Sequence, residues 1–223
     1  MLAVQISDEI HANVPDFQIG ILAYYDIVVA EFPQMLSGRY NYLQEERSIS
    51  VQEKGVAAFE GIAEWRNIFK KLGMDPSRYR PSSEALYRRL KKGDKLPDIH
   101  SAADLNNYWS IKYEIPLGIY DLDNIDGPVE IRIGTKQDAF EGLNGRPMNM
   151  EGKLLSADTR GAFGSPIVDS KRTMTTKNTR NALQLVYFRP STQKEDAETM
   201  LAEMCDGFIH IHGGSGETKL IAN

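Results

Sequence analysis

The chain carries one cysteine, Cys205, among 223 residues, so no disulfide can form within it and a disulfide-stapled scaffold is excluded. Long apolar runs are also missing. The best candidate, residues 19–30 (IGILAYYDIVVA), is interrupted by Asp26 and falls short of the ~20 residues that cross a bilayer. Residues 1–18 offer neither the basic nor the apolar segment of a secretory leader. These absences predict a cytoplasmic protein with no membrane partner. No G-x-S-x-G elbow and no lysine-bearing phosphate loop occurs, so nucleophilic and nucleotide-hydrolysing chemistry lose their usual signatures. The four histidines and the cysteine show no metal-ligand spacing; His210 and His212 share a face only if residues 208–212 form a strand, and two ligands are too few. The glycines of 213–216 resemble a phosphate loop in composition alone. The expectation is a protein without metal or cofactor.

What is present is an ordinary globular composition, 41% hydrophobic and 26% charged. The net charge of -5 is unevenly spread: residues 66–95 hold ten Lys/Arg against three acids, +7, which leaves -12 for the remainder. A chain so divided can meet a polyanion with one face and repel it elsewhere, which excludes indiscriminate nucleic-acid binding and leaves no expectation of DNA. On charge alone the 88–92 run (RRLKK) equally suits a solvated helix face.

Periodicity supplies the elements. Residues 19–30 read as a buried strand and 56–72 as a helix closed by Gly73. Ser82 is placed to cap a helix over 83–92, and Ser101 with Asp104 to open one that ends before Pro116. From residue 117 the period becomes two, giving strands at 117–122, 129–133, 154–157 and 183–188. Thr192 and Glu195 predict a helix to about residue 203, followed by an alternating final strand at 208–212. With no repeat and no linker, the reading is one interlocked α+β domain over residues 1–223.

The segment 104–123 (DLNNYWSIKYEIPLGIYDLD) resembles, without a gap, a run in the B3/B4 domain of the phenylalanyl-tRNA synthetase β subunit. Asp104, Asn107, Tyr108, Pro116, Asp121 and Asp123 match, with Tyr120 in place of Phe. Residues 127–132 (GPVEIR), 143–145 (LNG), 154–158 (LLSAD) and 179–183 (TRNAL) resemble its later motifs in order. Further segments, among them 79–89 (YRPSSEALYRR) and 169–173 (DSKRT), are similar to free-standing relatives built from this unit alone. The motif-bearing core is about 78–190.

The resemblance implies an α+β fold with a β-sandwich-like core of unusual topology covered by helices. In the synthetase this domain hydrolyses tyrosine misattached to phenylalanine tRNA, an ester hydrolysis that needs an ordered water and oxyanion donors but no covalent nucleophile. Carried over, it implies a pocket from Asn107, Tyr113, Gly118, Tyr120, Asp169, Lys171, Arg172 and Thr173, and RNA contacts from Arg66, Lys70, Lys71, Arg80, Arg88, Arg89, Lys91 and Lys92. The family's recognition His falls on Gly118 and its Glu on Lys171, with Asp169 two positions earlier, so specificity for tyrosine is not expected. The expected function is a tRNA-binding protein that edits mischarged aminoacyl-tRNA in trans, or a non-catalytic module for tRNA or a free amino acid.

Overall fold

A computed structural model describes residues 2–222. Strand β1 (Val4–Ile6) and helix α1 (Asp8–Asn13) lead into β2 (Ile19–Tyr25). Four helices follow: α2 (Gln34–Lys54), α3 (Glu60–Lys71), α4 (Ser82–Lys91) and α5 (Ser101–Tyr113). Then come β3 (Leu117–Asp121), β4 (Val129–Ile133), β5 (Ala139–Glu141), β6 (Pro147–Asn149), β7 (Leu154–Asp158), β8 (Gly161–Gly164) and β9 (Ala182–Tyr187). Helix α6 (Lys194–His212) and strand β10 (Ser215–Ile221) close the order. This is the α+β class that the sequence predicts.

The strands make two four-stranded sheets, β10-β2-β9-β3 and β1-β4-β7-β8, with β5 and β6 paired separately. The first sheet is antiparallel throughout and sets Ile21 and Gly118 on either side of Leu185. Strands β3 and β9 are buried at every position because both faces of this sheet are covered. Helices α5 and α6 pack on β3, β2 and β10, and side chains of the second sheet share the core on the other side. Trp65 of α3 meets Tyr187 edge-on at 5.9 Å and donates its indole N–H to the Tyr187 carbonyl at 3.2 Å. Each such fully buried large side chain contributes about 1.5–3 kcal/mol of apolar transfer. Gly20 admits α6: a Cβ there would lie 2.4 Å from Leu201 Cδ2.

Several expectations are corrected. The strand at 19–30 stops at Tyr25, where Asp26 takes a left-handed turn at φ 57. The helix at 56–72 is a 3₁₀ turn, Val56–Ala58, followed by α3, the break falling at extended Phe59. Ser82 is the first residue of α4 rather than its cap, and its Oγ is buried without a partner. His100 caps α5 through Nδ1, while Asp104 accepts the Ile99 N–H. Gln193 precedes α6 without a side-chain cap, so Thr192 and Glu195 form no capping box.

Residues 208–212 are not a strand but the last turn and more of α6, whose inward stripe Ala197, Leu201, Met204, Cys205, Phe208 and His212 keeps helical spacing to its end. Gly213 and Gly214 then take positive φ, 68 and 75, to return the chain into β10. The glycine run is therefore a helix-to-strand return. His212 is buried: its Nδ1 donates to the Phe208 carbonyl at 2.9 Å and its Nε2 faces Ser101 Oγ at 2.8 Å. Ser101 Oγ also accepts the Ala30 N–H, so this pair ties three segments together. Among the described residues no helix is long and apolar enough to cross a membrane.

Candidate functional site

Pro81 is the N-cap of helix α4, and the Ser82 N–H donates to the Pro166 carbonyl at 2.7 Å. Ser83, Glu84, Tyr87 and Leu90 turn inward, which leaves Arg88, Arg89, Lys91 and Lys92 exposed at the carboxyl end, where the helix dipole favours cations. With Arg80, Ala85 and Ile167 these four line a cleft of about 810 Å³ that has no acid in its wall. Five cations converging on one concavity raise the local concentration of anions, phosphate above all.

Glu84, 1% exposed, organises the base of this helix. Arg66 Nη1 reaches its two oxygens at 3.0 and 2.9 Å and the Pro76 carbonyl at 3.3 Å, and Arg88 binds Oε1 through Nε at 2.8 Å. Arg66 is thus an internal ion-pair partner rather than a surface cation. Lys70 and Lys71 are exposed in the last turn of α3 and do not line the cleft.

Across the 165–169 loop lies a second feature. The Tyr120 side chain of β3 runs between two glycines, and a Cβ on Gly118 or Gly164 would sit 2.0 or 2.3 Å from its hydroxyl oxygen. That hydroxyl donates to Asp169 Oδ1 at 2.7 Å, and the Ser165 N–H approaches the same oxygen at 3.4 Å. Burial pushes the Asp169 carboxyl up to about 7, against the opposing effect of its two donors. The same enclosure holds the Tyr120 phenol well above its ordinary range. Tyr187, bonded to Ser156 Oγ at 2.8 Å, belongs to this buried polar group. A carboxyl poised near neutrality suits proton transfer, but the tyrosine fills the space that a missing His side chain would vacate at Gly118.

The eight residues predicted to share a pocket do not all meet. Gly118, Tyr120 and Asp169 do, and Thr173 packs near them, its hydroxyl on the Phe163 carbonyl at 3.4 Å with the Phe163 ring 4.9 Å from that of Tyr120. Lys171 and Arg172 open instead onto a cleft of about 460 Å³ beside β5. Arg172 is held bidentate by Asp158 at 2.9 and 3.0 Å, and Lys171 pairs with Glu141 at 3.2 Å. Tyr113 lies in another cleft, of about 510 Å³, with Lys112 and Glu114.

Asn107 is half-buried on α5, whereas its neighbour Asn106 is the wired amide: it donates to the Leu117 carbonyl at 3.3 Å and accepts from Gln184 at 2.8 Å. Sequence reasoning missed Asn106, Gln184, Tyr187 and the Ser165 N–H, whose only signal was a polar residue inside an apolar run. Among the described residues no three of His, Cys, Asp and Glu come together as a metal site.

The profile of the B3/4 domain matches residues 64–202. The uncharacterized protein YhzB of Bacillus subtilis is 26% identical over 212 residues, 95% of this chain and 96% of that protein. The phenylalanine–tRNA ligase β subunits of Fusobacterium nucleatum and Bartonella henselae are 24% and 30% identical over 108 and 90 residues. These stretches are 47% and 40% of this chain but only 14% and 11% of those subunits. An N-terminal fragment of the phenylalanyl-tRNA synthetase β subunit from Pyrococcus horikoshii aligns with all of this chain and 55% of its own length, at 14% identity and a TM-score of 0.49.

Proposed function

This chain belongs to the B3/4 domain family, whose profile spans more than half of it, and from that premise we propose that it is an RNA-binding module of the cytoplasm that docks tRNA. The observation that carries the reading is the acid-free cleft of Arg80, Arg88, Arg89, Lys91 and Lys92, joined to the 165–169 loop by the Ser82–Pro166 hydrogen bond. Phosphates of the acceptor stem lie in the cleft, and the strand end reaches toward the loop. Binding is electrostatic, and the net charge of -12 outside residues 66–95 opposes other approaches.

Fluorescence anisotropy of labelled tRNA tests the proposal. Arg89→Ala with Lys92→Ala weakens binding about tenfold or more at low salt, and the fold is unchanged because both side chains are exposed. Equal affinity for the variant and the parent protein overturns it.

One observation favours hydrolysis of the aminoacyl ester as a second reading: Asp169, pushed up to about 7, is a base of suitable strength to take a proton from water attacking the ester carbonyl. The products are the free amino acid and deacylated tRNA. Against it stands the Tyr120 side chain between Gly118 and Gly164. Mischarged tRNAs deacylated by the parent protein and not by Asp169→Asn would establish this reading, and no acceleration on any of them leaves the binding module.

A further inference from the structure

Helix α2 is 21 residues long and buries only Tyr40, Leu43, Gln44 and Val51. Its opposite face carries Met35, Tyr42 and Ile49, exposed to 89%, 70% and 61%. These three residues are seven apart, so they form one row, drifting only ~20° per step, along ~21 Å of the helix. Aligned apolar residues this exposed offer a surface for another protein to cover.

We propose that a second copy of this chain covers it, with the two α2 helices packed antiparallel about a two-fold axis at Tyr42. The spacing is self-complementary in that arrangement, and the charges select it over a parallel one. With Tyr42 facing its symmetry mate, Met35 faces Ile49 of the other copy at both ends, so each apolar residue meets another. The charges agree as well. Arg39 and Glu46 flank the ridge on the same side, three and four residues from the pivot, so each Arg39 meets the Glu46 of the other copy within one residue's rise.

Among the described residues no carboxylate pairs with Arg39 inside the chain, and Glu46 has only Arg47 at 3.6 Å on its own helix. A parallel two-fold would set this flank against the opposite flank of the other copy, so Arg39 would not meet Glu46 there. Glu53, eleven residues from the pivot, falls opposite Glu31 of the other copy, whose carboxylate is already paired with Lys177 in its own chain.

Sedimentation equilibrium of the full chain tests the dimer from about 1 to 200 µM, the range expected of an interface below the standard ~800 Å² per partner. The parent protein shifts with concentration from 25.1 kDa toward twice that mass. Tyr42→Glu places like charges on the two-fold and gives a monomer throughout; its exposed site keeps the fold, which circular dichroism checks. Arg39→Glu weakens association about tenfold, and Arg39→Glu with Glu46→Arg restores it, because the swapped pair meets across the two-fold. A monomer at every concentration overturns the proposal. So does a dimer that neither Tyr42→Glu nor Arg39→Glu affects.

Discussion

Replacing Asp169 by Asn separates the charge of this site from its hydrogen bonds. The Asn carbonyl still accepts from Tyr120 and Ser165, the two donors that reach Oδ1 at 2.7 and 3.4 Å, but it cannot ionise. Burial raises the Asp169 carboxyl from its ordinary 3.8 to about 7, so the folded protein holds this proton more tightly than the unfolded chain. Its contribution is therefore complete below about pH 4 and is lost as pH rises toward 7, at up to 1.36 kcal/mol per pH unit. Summed over the window, the ceiling is about 4 kcal/mol, and the residue's partial exposure holds the effect below it. Urea denaturation of the parent protein and of Asp169→Asn, between about pH 4 and pH 8, reads the effect as a difference in which other titrating groups cancel. The variant gains on the parent from about pH 4 to pH 7, and the difference then levels off. A difference that stays flat refutes the enclosure of Asp169 behind Tyr120.

Other perturbations test the neighbouring structure. Glu84→Ala leaves Arg66 without its buried partner and destabilises by about 3 kcal/mol in the same denaturation assay. Gly118→Ala puts a methyl 2.0 Å from the Tyr120 hydroxyl oxygen and costs about 3 kcal/mol, visible as a fall in Tm of several degrees. His212 is held below its ordinary 6.5 chiefly by burial, so its neutral form supports the fold above that pH and the support is lost as pH falls below it. The stability advantage of the parent over His212→Gln consequently shrinks between about pH 7 and pH 5.

The parts legible in the sequence are those where one element's own pattern decides its fate. Helices α4 and α5, the strands β3, β4, β7 and β9 and the basic run on α4 follow from local periodicity and charge. Helix α2 escaped because its apolar residues go round the cylinder: Leu43 and Val51 face the core while Met35, Tyr42 and Ile49 face out. The alternation at 208–212 misled because His212 is a core residue, bonded to Ser101, and not a solvated strand position. The site was legible only in part, since Tyr120 reaches Asp169 across 49 residues of sequence and Gly118 matters through the hydroxyl it leaves room for. In sequence Arg66 reads as an RNA contact and Arg172 as a pocket residue because their carboxylate partners, Glu84 and Asp158, are 18 and 14 residues away.

The salt dependence of tRNA binding tests the central claim most directly. If Arg80, Arg88, Arg89, Lys91 and Lys92 each displace a counterion from the backbone, log K against log salt falls with a slope of about -4. Removing Arg89 and Lys92 makes that slope shallower by about 1.5. A slope that is the same for the parent protein and this variant would contradict the assignment of the α4 cleft as the RNA interface.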